Sequence, residues 1–155
     1  MTLSRDDVDA DALIAAVRRA LSRWSERTRR APQVLIVDDH ELNRRLLGAL
    51  LERKGYRTLH AADGASALAQ AREFAPALVL LDLAMPERDG FEVLSDLRRT
   101  PETQHIPVVA LTALASREDR VRVEEAGFDG YLTKPIDRAA LEALVARIVP
   151  DSDDA

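Results

Sequence analysis

The sequence predicts an α/β fold: a five-stranded parallel, doubly wound sheet in the order 2-1-3-4-5, preceded by an extra N-terminal amphipathic helix. Three observations predict it. Short apolar, partly β-branched segments alternate five times with segments whose apolar residues recur at helical spacing. Runs such as VLIV and LVLL are apolar throughout, as in strands buried on both faces. The 155 residues are 46% hydrophobic and 32% charged, which suffices for one core of ordinary domain size. Repeated strand–helix units imply right-handed crossovers, helices on both faces of the sheet, and a topological switch between strands 1 and 3.

Taken in order, residues 9–24 place Leu13, Ile14, Val17, Leu21 and Trp24 on one helical stripe, with Arg18, Arg19 and Arg23 elsewhere around the helix. Ile14, Val17, Leu21 and Trp24 follow a 3-4-3 spacing, shorter than the three or four heptads of a coiled coil. Three roles stay open for this helix: packing on its own domain, self-association as a homodimer or docking of a partner, and membrane contact. The basic run Arg27, Arg29, Arg30 reads as a solvated linker, and Pro32 marks a boundary. Residues 1–31 are thus expected to be an extension and linker, 32–150 the main domain and 151–155 an acidic tail.

Beyond Pro32 the strand candidates are 34–39, 56–62, 77–82, 106–112 and 129–133. The helix candidates between and after them are 40–55, 64–74, 90–100, 116–127 and 137–149. Gly55 and Gly127 stand where a glycine ends a helix, and Asp63, Ser116 and Asp137 where a side-chain acceptor starts one.

Composition narrows the chemistry. With no cysteine, disulfides, thiolate zinc sites and thiol catalysis are excluded. A net charge of -5 argues against direct nucleic-acid binding, which needs a basic face. No apolar run is long enough to span a membrane, and the acidic N-terminus is unlike a secretory signal, so a cytoplasmic protein is expected.

The polar residues that interrupt the apolar runs gather at strand C-terminal ends: Asp38 and Asp39 after strand 1, Asp82 after strand 3, Thr112 at the end of strand 4, and Lys134 after strand 5. In a doubly wound sheet all five converge on one rim, at the switch point. Singly, each has a structural explanation: a helix cap, a turn opener, a β-branched strand end, a solvated lysine. Together they are expected to share one pocket. Lys134 is one of only two lysines, with Lys54, among 22 basic residues, and arginine's bulkier fork is no substitute at such a point. Three clustered carboxylates repel one another unless a cation sits among them. Oxygen ligands select a hard ion, and Mg²⁺ suits an open site that accepts a phosphoryl oxygen. A carboxylate can then act as nucleophile toward phosphorus, with Mg²⁺ and Lys134 neutralising charge and Thr112 donating a hydrogen bond.

These residues resemble the receiver domain of two-component response regulators, over about residues 33–149. The resemblance rests on the acidic pair in VLIVDDH, on LVLLDLAMPERDG with its D-x-x-M-P-x-x-D-G spacing, on the Thr and Ala of VVALTA, and on GYLTKPI. It looks closer to receivers of hybrid kinases and to single-domain regulators than to DNA-binding regulators. The resemblance implies a flavodoxin-like sheet, phosphoryl transfer from a phosphohistidine to Asp82, Mg²⁺ held by Asp39, by Asp38 mostly through water, by Asp82 and by the Ala84 backbone carbonyl, and a switch made by Thr112 and Tyr131 with Lys134 bridging to the phosphoryl group. It also implies a cis Lys134-Pro135 peptide. The implied partners are a histidine kinase or histidine phosphotransfer protein as donor and a downstream protein on the face formed by Ser116–Gly127, Tyr131 and Asp137–Val149. Catalysis would extend no further than its own Mg²⁺-dependent phosphorylation and dephosphorylation.

Ala84 departs from the amide or acid that many receivers carry two residues after the acceptor, and Leu114, two after Thr112, is also apolar, so neither orients an attacking water. A long-lived phosphoryl state is expected. The alternatives are a constitutive, unphosphorylated interaction module on the same fold, and an enzyme. VLIVDDHELN lacks the glycine fingerprints of dinucleotide and P-loop enzymes, and a phosphohydrolase would need a general acid where Ala84 stands. His40, His60 and His105 show no metal-site pairing and read as structural or surface residues.

Overall fold

The computed structural model describes residues 5–86, 88–113 and 116–149. The chain divides into two compact units, Met1–Ala31 and Pro32–Ala155. In the first, α1 runs from Arg5 to Arg30 as one helix of 26 residues. Leu13, Ile14, Val17 and Leu21 are all exposed on it. The side chains of Trp24, Arg27, Arg29 and Arg30, and the acidic tail, lie outside the described residues.

The second unit begins with β1 (Gln33–Val37) and α2 (Glu41–Arg53), followed by β2 (Arg57–Ala61) and α3 (Gly64–Phe74). Then come β3 (Leu78–Asp82), α4 (Gly90–Arg99), β4 (Val108–Thr112) and α5 (Arg117–Ala126). The last elements are β5 (Gly130–Thr133) and α6 (Arg138–Ile148). All four strand pairings are parallel and the order is β2-β1-β3-β4-β5. The doubly wound sheet expected from the sequence is therefore present. β1 ends short of the 34–39 candidate: pairing stops with the apolar run at Val37, so Asp38 and Asp39 stand beyond the ladder.

Strand periodicity sorts the core into two layers. Leu35, Val37, Val79, Leu81, Val108 and Ala110 face α3, α4 and α5, meeting Ala67, Ala71, Val93, Leu97 and Val123. Val34, Ile36, Leu78, Leu80, Val109 and Leu111 face the other way, toward Leu47 and Leu51 of α2 and Leu141 and Val145 of α6. Central strands β3 and β4 are buried at every position, which explains their unbroken apolar runs.

The helices start where side chains satisfy their free amides. Asp63 accepts from Ser66 N at 2.7 Å, Asp137 from Ala140 N at 2.9 Å, and Ser116 forms a capping box with Asp119. Asp89 does the same for α4, accepting from Glu92 N at 2.9 Å. Asp39, read singly as a helix cap, is not one: the residue entering α2 is His40, whose side chain makes no cap. Gly55 and Gly127 leave their helices at φ 94° and 99°, as a terminating glycine does.

Gly90 has a different reason to be glycine. A Cβ built on it would lie 2.9 Å from the carbonyl oxygen of Asp82 and 2.9 Å from Leu83 Cα, both main-chain atoms with nowhere to go. The start of α4 is thus seated on the end of β3. Gly90→Ala is expected to lower stability by about 1–3 kcal/mol through overpacking. Urea denaturation of the wild type and the variant measures it.

Candidate functional site

Asp82 ends β3, and β1 and β3 pair up to Val37 and Leu81. One step further the two strands present Asp38 and Asp82 to each other. Asp38 continues the parity of Val34 and Ile36, and Asp82 that of Leu78 and Leu80, so both carboxylates fall toward the layer carrying α2 and α6. Both are buried, with relative exposures of 0% and 1%. β4 places Thr112, also buried, one residue beyond Leu111, the partner of Asp82. The chain leaves β5 at Thr133, and the Lys134 amide donates to the Thr112 carbonyl at 2.8 Å. That bond aims the next side chain back across the sheet edge.

Lys134 Nζ reaches 3.2 Å from Asp82 Oδ2 and 3.5 Å from Asp38 Oδ2. Asp82 Oδ1 accepts from the Ala84 amide at 3.0 Å. Asp38 Oδ1 accepts from the His40 amide at 2.9 Å, its Oδ2 from Asn43 Nδ2 at 3.3 Å, and its carbonyl from Arg44 Nη1 at 2.6 Å. Ligand atoms of Asp38, Asp39, His40 and Asp82 all lie within 4.8 Å of one another. Asp39 Oδ1 and Asp82 Oδ2 are buried yet lack a hydrogen bond of good geometry. Asp82 Oδ2 has only its ion pair with Lys134, and Asp39 Oδ1 lies 3.1 Å from His40 Nδ1. Two desolvated carboxylate oxygens without full partners, in a nest of hard donors, fit a small divalent cation.

The structure thus brings Asp38, Asp39, Asp82 and Lys134 together, with Ala84 and Thr112 on the same rim. Tyr131 pairs with Ala110 and packs instead against the layer carrying α3–α5. The Arg120 guanidinium lies over its ring, 5.7 Å from the centroid. Leu114 lies outside the described residues. The Lys134-Pro135 peptide is cis, as the resemblance implied.

One of the three histidines is exposed, as expected, and yet joins the acidic residues. His40 belongs to the acidic cluster, because the turn into α2 folds its ring back over both carboxylates, 3.3 Å from Asp38 and 3.1 Å from Asp39. Asn43 and Arg44 were missed as well. Their signal was weak but real: in N-R-R, four to six residues after the acidic pair, the first turn of a helix faces back toward the strand end that feeds it.

The two buried carboxylates are driven in opposite directions. Burial pushes the Asp82 carboxyl up, the negative charge of Asp38 adds to this, and the Ala84 amide and Lys134 only partly offset it. Burial also pushes Asp38 up, but the His40 amide, Lys134 and Asn43 together outweigh it and hold Asp38 below the usual carboxylate range. Folded Asp82 therefore keeps its proton to higher pH than the unfolded chain does. It favours the fold when protonated and costs stability once ionised. Asp38 has the opposite sign: its contribution is present above the ordinary carboxylate pKa and is lost as pH falls through its lowered one. With divalent cations chelated, Asp82→Asn should raise stability at pH 7 by an amount on the order of 1 kcal/mol, by removing a like charge from its pair. Urea denaturation at pH 7 and near pH 4 checks this, the gain shrinking at the lower pH.

The chain is similar to known proteins. The response regulator receiver domain matches residues 34–146. The response regulator PleD of Caulobacter vibrioides is 48% identical over 113 residues, covering 73% of this chain and 25% of PleD, so the chain spans about a quarter of that relative. The polar-differentiation response regulator DivK of Brucella anthropi is 44% identical over 103 residues, 66% of this chain and 84% of DivK. Among solved structures, the receiver domain of the Pseudomonas aeruginosa sensor histidine kinase PA1611, which has a magnesium ion coordinated in its active-site cleft, superposes with a TM-score of 0.70 at 32% identity, covering 76% of this chain and 97% of that one. No helix among the described residues is long and apolar enough to cross a membrane. With its parallel sheet, its acidic rim and these matches, the chain belongs to the response regulator receiver domains of two-component signalling systems.

Proposed function

We propose that Asp82 is the phosphoacceptor of a switch that takes its phosphoryl group from a phosphohistidine on a histidine kinase or phosphotransfer protein and signals through protein contacts in the cytoplasm. The observation that carries this reading is the position of Asp82 Oδ2: buried, without a full hydrogen-bond complement, and 3.2 Å from the one lysine of the rim. Its raised pKa reflects a carboxylate poorly solvated as an anion, whose Oδ2 is left with lone pairs free to attack phosphorus. An Asp82 oxygen attacks phosphorus in line, and the P–N bond to the donor breaks as the new O–P bond of the acyl phosphate forms. The donor imidazole leaves with the electron pair.

A hard divalent cation, Mg²⁺, held by Asp38, Asp39, Asp82 and the Ala84 carbonyl, would neutralise charge on the phosphoryl oxygens. Lys134 stands ready to move its ammonium from the Asp82 carboxylate to a phosphoryl oxygen, and Thr112 to donate its hydroxyl to another. Tyr131 reports the change. It lies beside Ala110 with its ring half-buried and under Arg120, so a shift of Thr112, two residues on from Ala110, alters the packing the ring meets. The readout surface is then Ser116–Gly127, Tyr131 and Asp137–Val149. Such a switch biases a two-state equilibrium and performs no separate catalysis.

Incubation with acetyl phosphate and Mg²⁺ should add about 80 Da to the intact mass of wild type and nothing to Asp82→Asn. EDTA should abolish the gain. No added mass from acetyl phosphate or from a phosphohistidine donor would instead favour a constitutive interaction module. Ala84 supplies neither an amide nor an acid to hold water, so the phosphoryl group should persist. Decay of the labelled protein is expected to be several-fold faster in Ala84→Asn, and equal rates would remove that part of the proposal.

A further inference from the structure

From α1 we infer a second interaction surface, independent of the phosphoacceptor reading: two copies of the chain pair through this helix in antiparallel orientation. Leu13, Ile14, Val17 and Leu21 are 47–64% exposed on it, and Ala10, Ile14, Val17 and Leu21 recur at the 4-3-4 spacing of a two-helix seam. An apolar stripe of this length on a helix of 26 residues, about 39 Å long, is large enough to be covered by an equal helix.

The charges name the occupant and its direction. Between positions 6 and 11 lie Asp6, Asp7, Asp9 and Asp11 with no base, and between 18 and 30 lie six arginines against the single Glu26. The helix therefore has an acidic first half and a basic second half. A second copy running the opposite way sets each half against its complement, whereas a parallel copy sets acids beside acids and arginines beside arginines. One register satisfies seam and flanks together. Opposing Ile14 with the partner's Val17 also opposes Ala10 with the partner's Leu21. In the heptad that places Ile14 and Leu21 at a, and Ala10 and Val17 at d, Asp11 and Arg18 are both e positions, which meet across an antiparallel pair. Each of these contacts occurs twice by the two-fold axis.

The full chain is cysteine-free, so orientation can be read by cross-linking. Ala10→Cys and Leu21→Cys proteins are mixed and oxidised. The expected product is the mixed disulfide alone, because along one helix the two positions lie about 16 Å apart and only an antiparallel pair brings them together. Disulfides within each single variant and none between them would overturn the orientation. Sedimentation of wild type should show a dimer at about 100 µM, and Ile14→Asp should give a monomer with unchanged circular dichroism from the rest of the fold. Asp11→Arg should weaken the dimer roughly tenfold at low salt, and Asp11→Arg with Arg18→Asp should restore it. Tighter association of Asp11→Arg would point to the parallel pair and overturn the inference. So would a wild type that stays monomeric at that concentration, or one that stays monomeric and partitions onto vesicles of anionic phospholipid.

Discussion

The site depends on a confrontation that the sheet imposes. β1 and β3 lie next to each other because of the order β2-β1-β3-β4-β5, and their register delivers Asp38 and Asp82 to the same rim as neighbours. Two like charges in that position oppose folding. The core beneath them, buried at every position of β3 and β4, leaves no freedom to move them apart. Their repulsion is answered from the other end of the chain, where Lys134 is carried in by β5 and reaches both. Positive charge is thus a structural requirement of the rim before it is a chemical one, and the same requirement makes the rim receptive to a cation and to the redistribution of charge that a phosphoryl group brings.

The environment also divides labour between the two carboxylates. Asp38 is surrounded by donors from the turn into α2, so it remains an anion and serves as a fixed charge. Asp82 has one amide and one ammonium and little else. The less satisfied of the pair is the one placed to react. Nothing intrinsic to aspartate separates them. The difference lies in the stretch of chain on the C-terminal side of each residue, which starts a helix after Asp38 and forms a loop after Asp82.

Much of this was legible in the sequence, for a physical reason. Strand parity and helical spacing are local, and here they agree with the global fold: the alternation in VLIV and LVLL sorts directly into the two core layers, and Asp63, Ser116 and Asp137 cap the helices they precede. Asp38, Asp39, Asp82, Thr112 and Lys134 could be gathered on one rim because residues after parallel strands share an end of the sheet. What the pattern did not give were directions of side chains in turns. His40 is exposed, as a surface residue should be, and its inclusion in the cluster depends on how the chain enters α2, which periodicity does not specify. The apolar stripe of α1 could be read from periodicity, but periodicity carries no information on whether such a stripe is covered. The charge gradient along the helix supplies that second piece.

The seat of Gly90 against the Asp82 carbonyl carries a mechanical meaning. Below that contact α4 runs to Arg98, whose guanidinium holds the Ile106 carbonyl at 2.7 Å and the Asp129 carboxylate at 3.0 Å, and Asp129 in turn accepts from the Val108 amide at 2.8 Å. A rigid rod therefore joins the end of one central strand to the beginnings of the next two. The backbone at the top of β3 thus has, through a single helix, a direct mechanical link to the opposite end of the sheet, at the roots of β4 and β5.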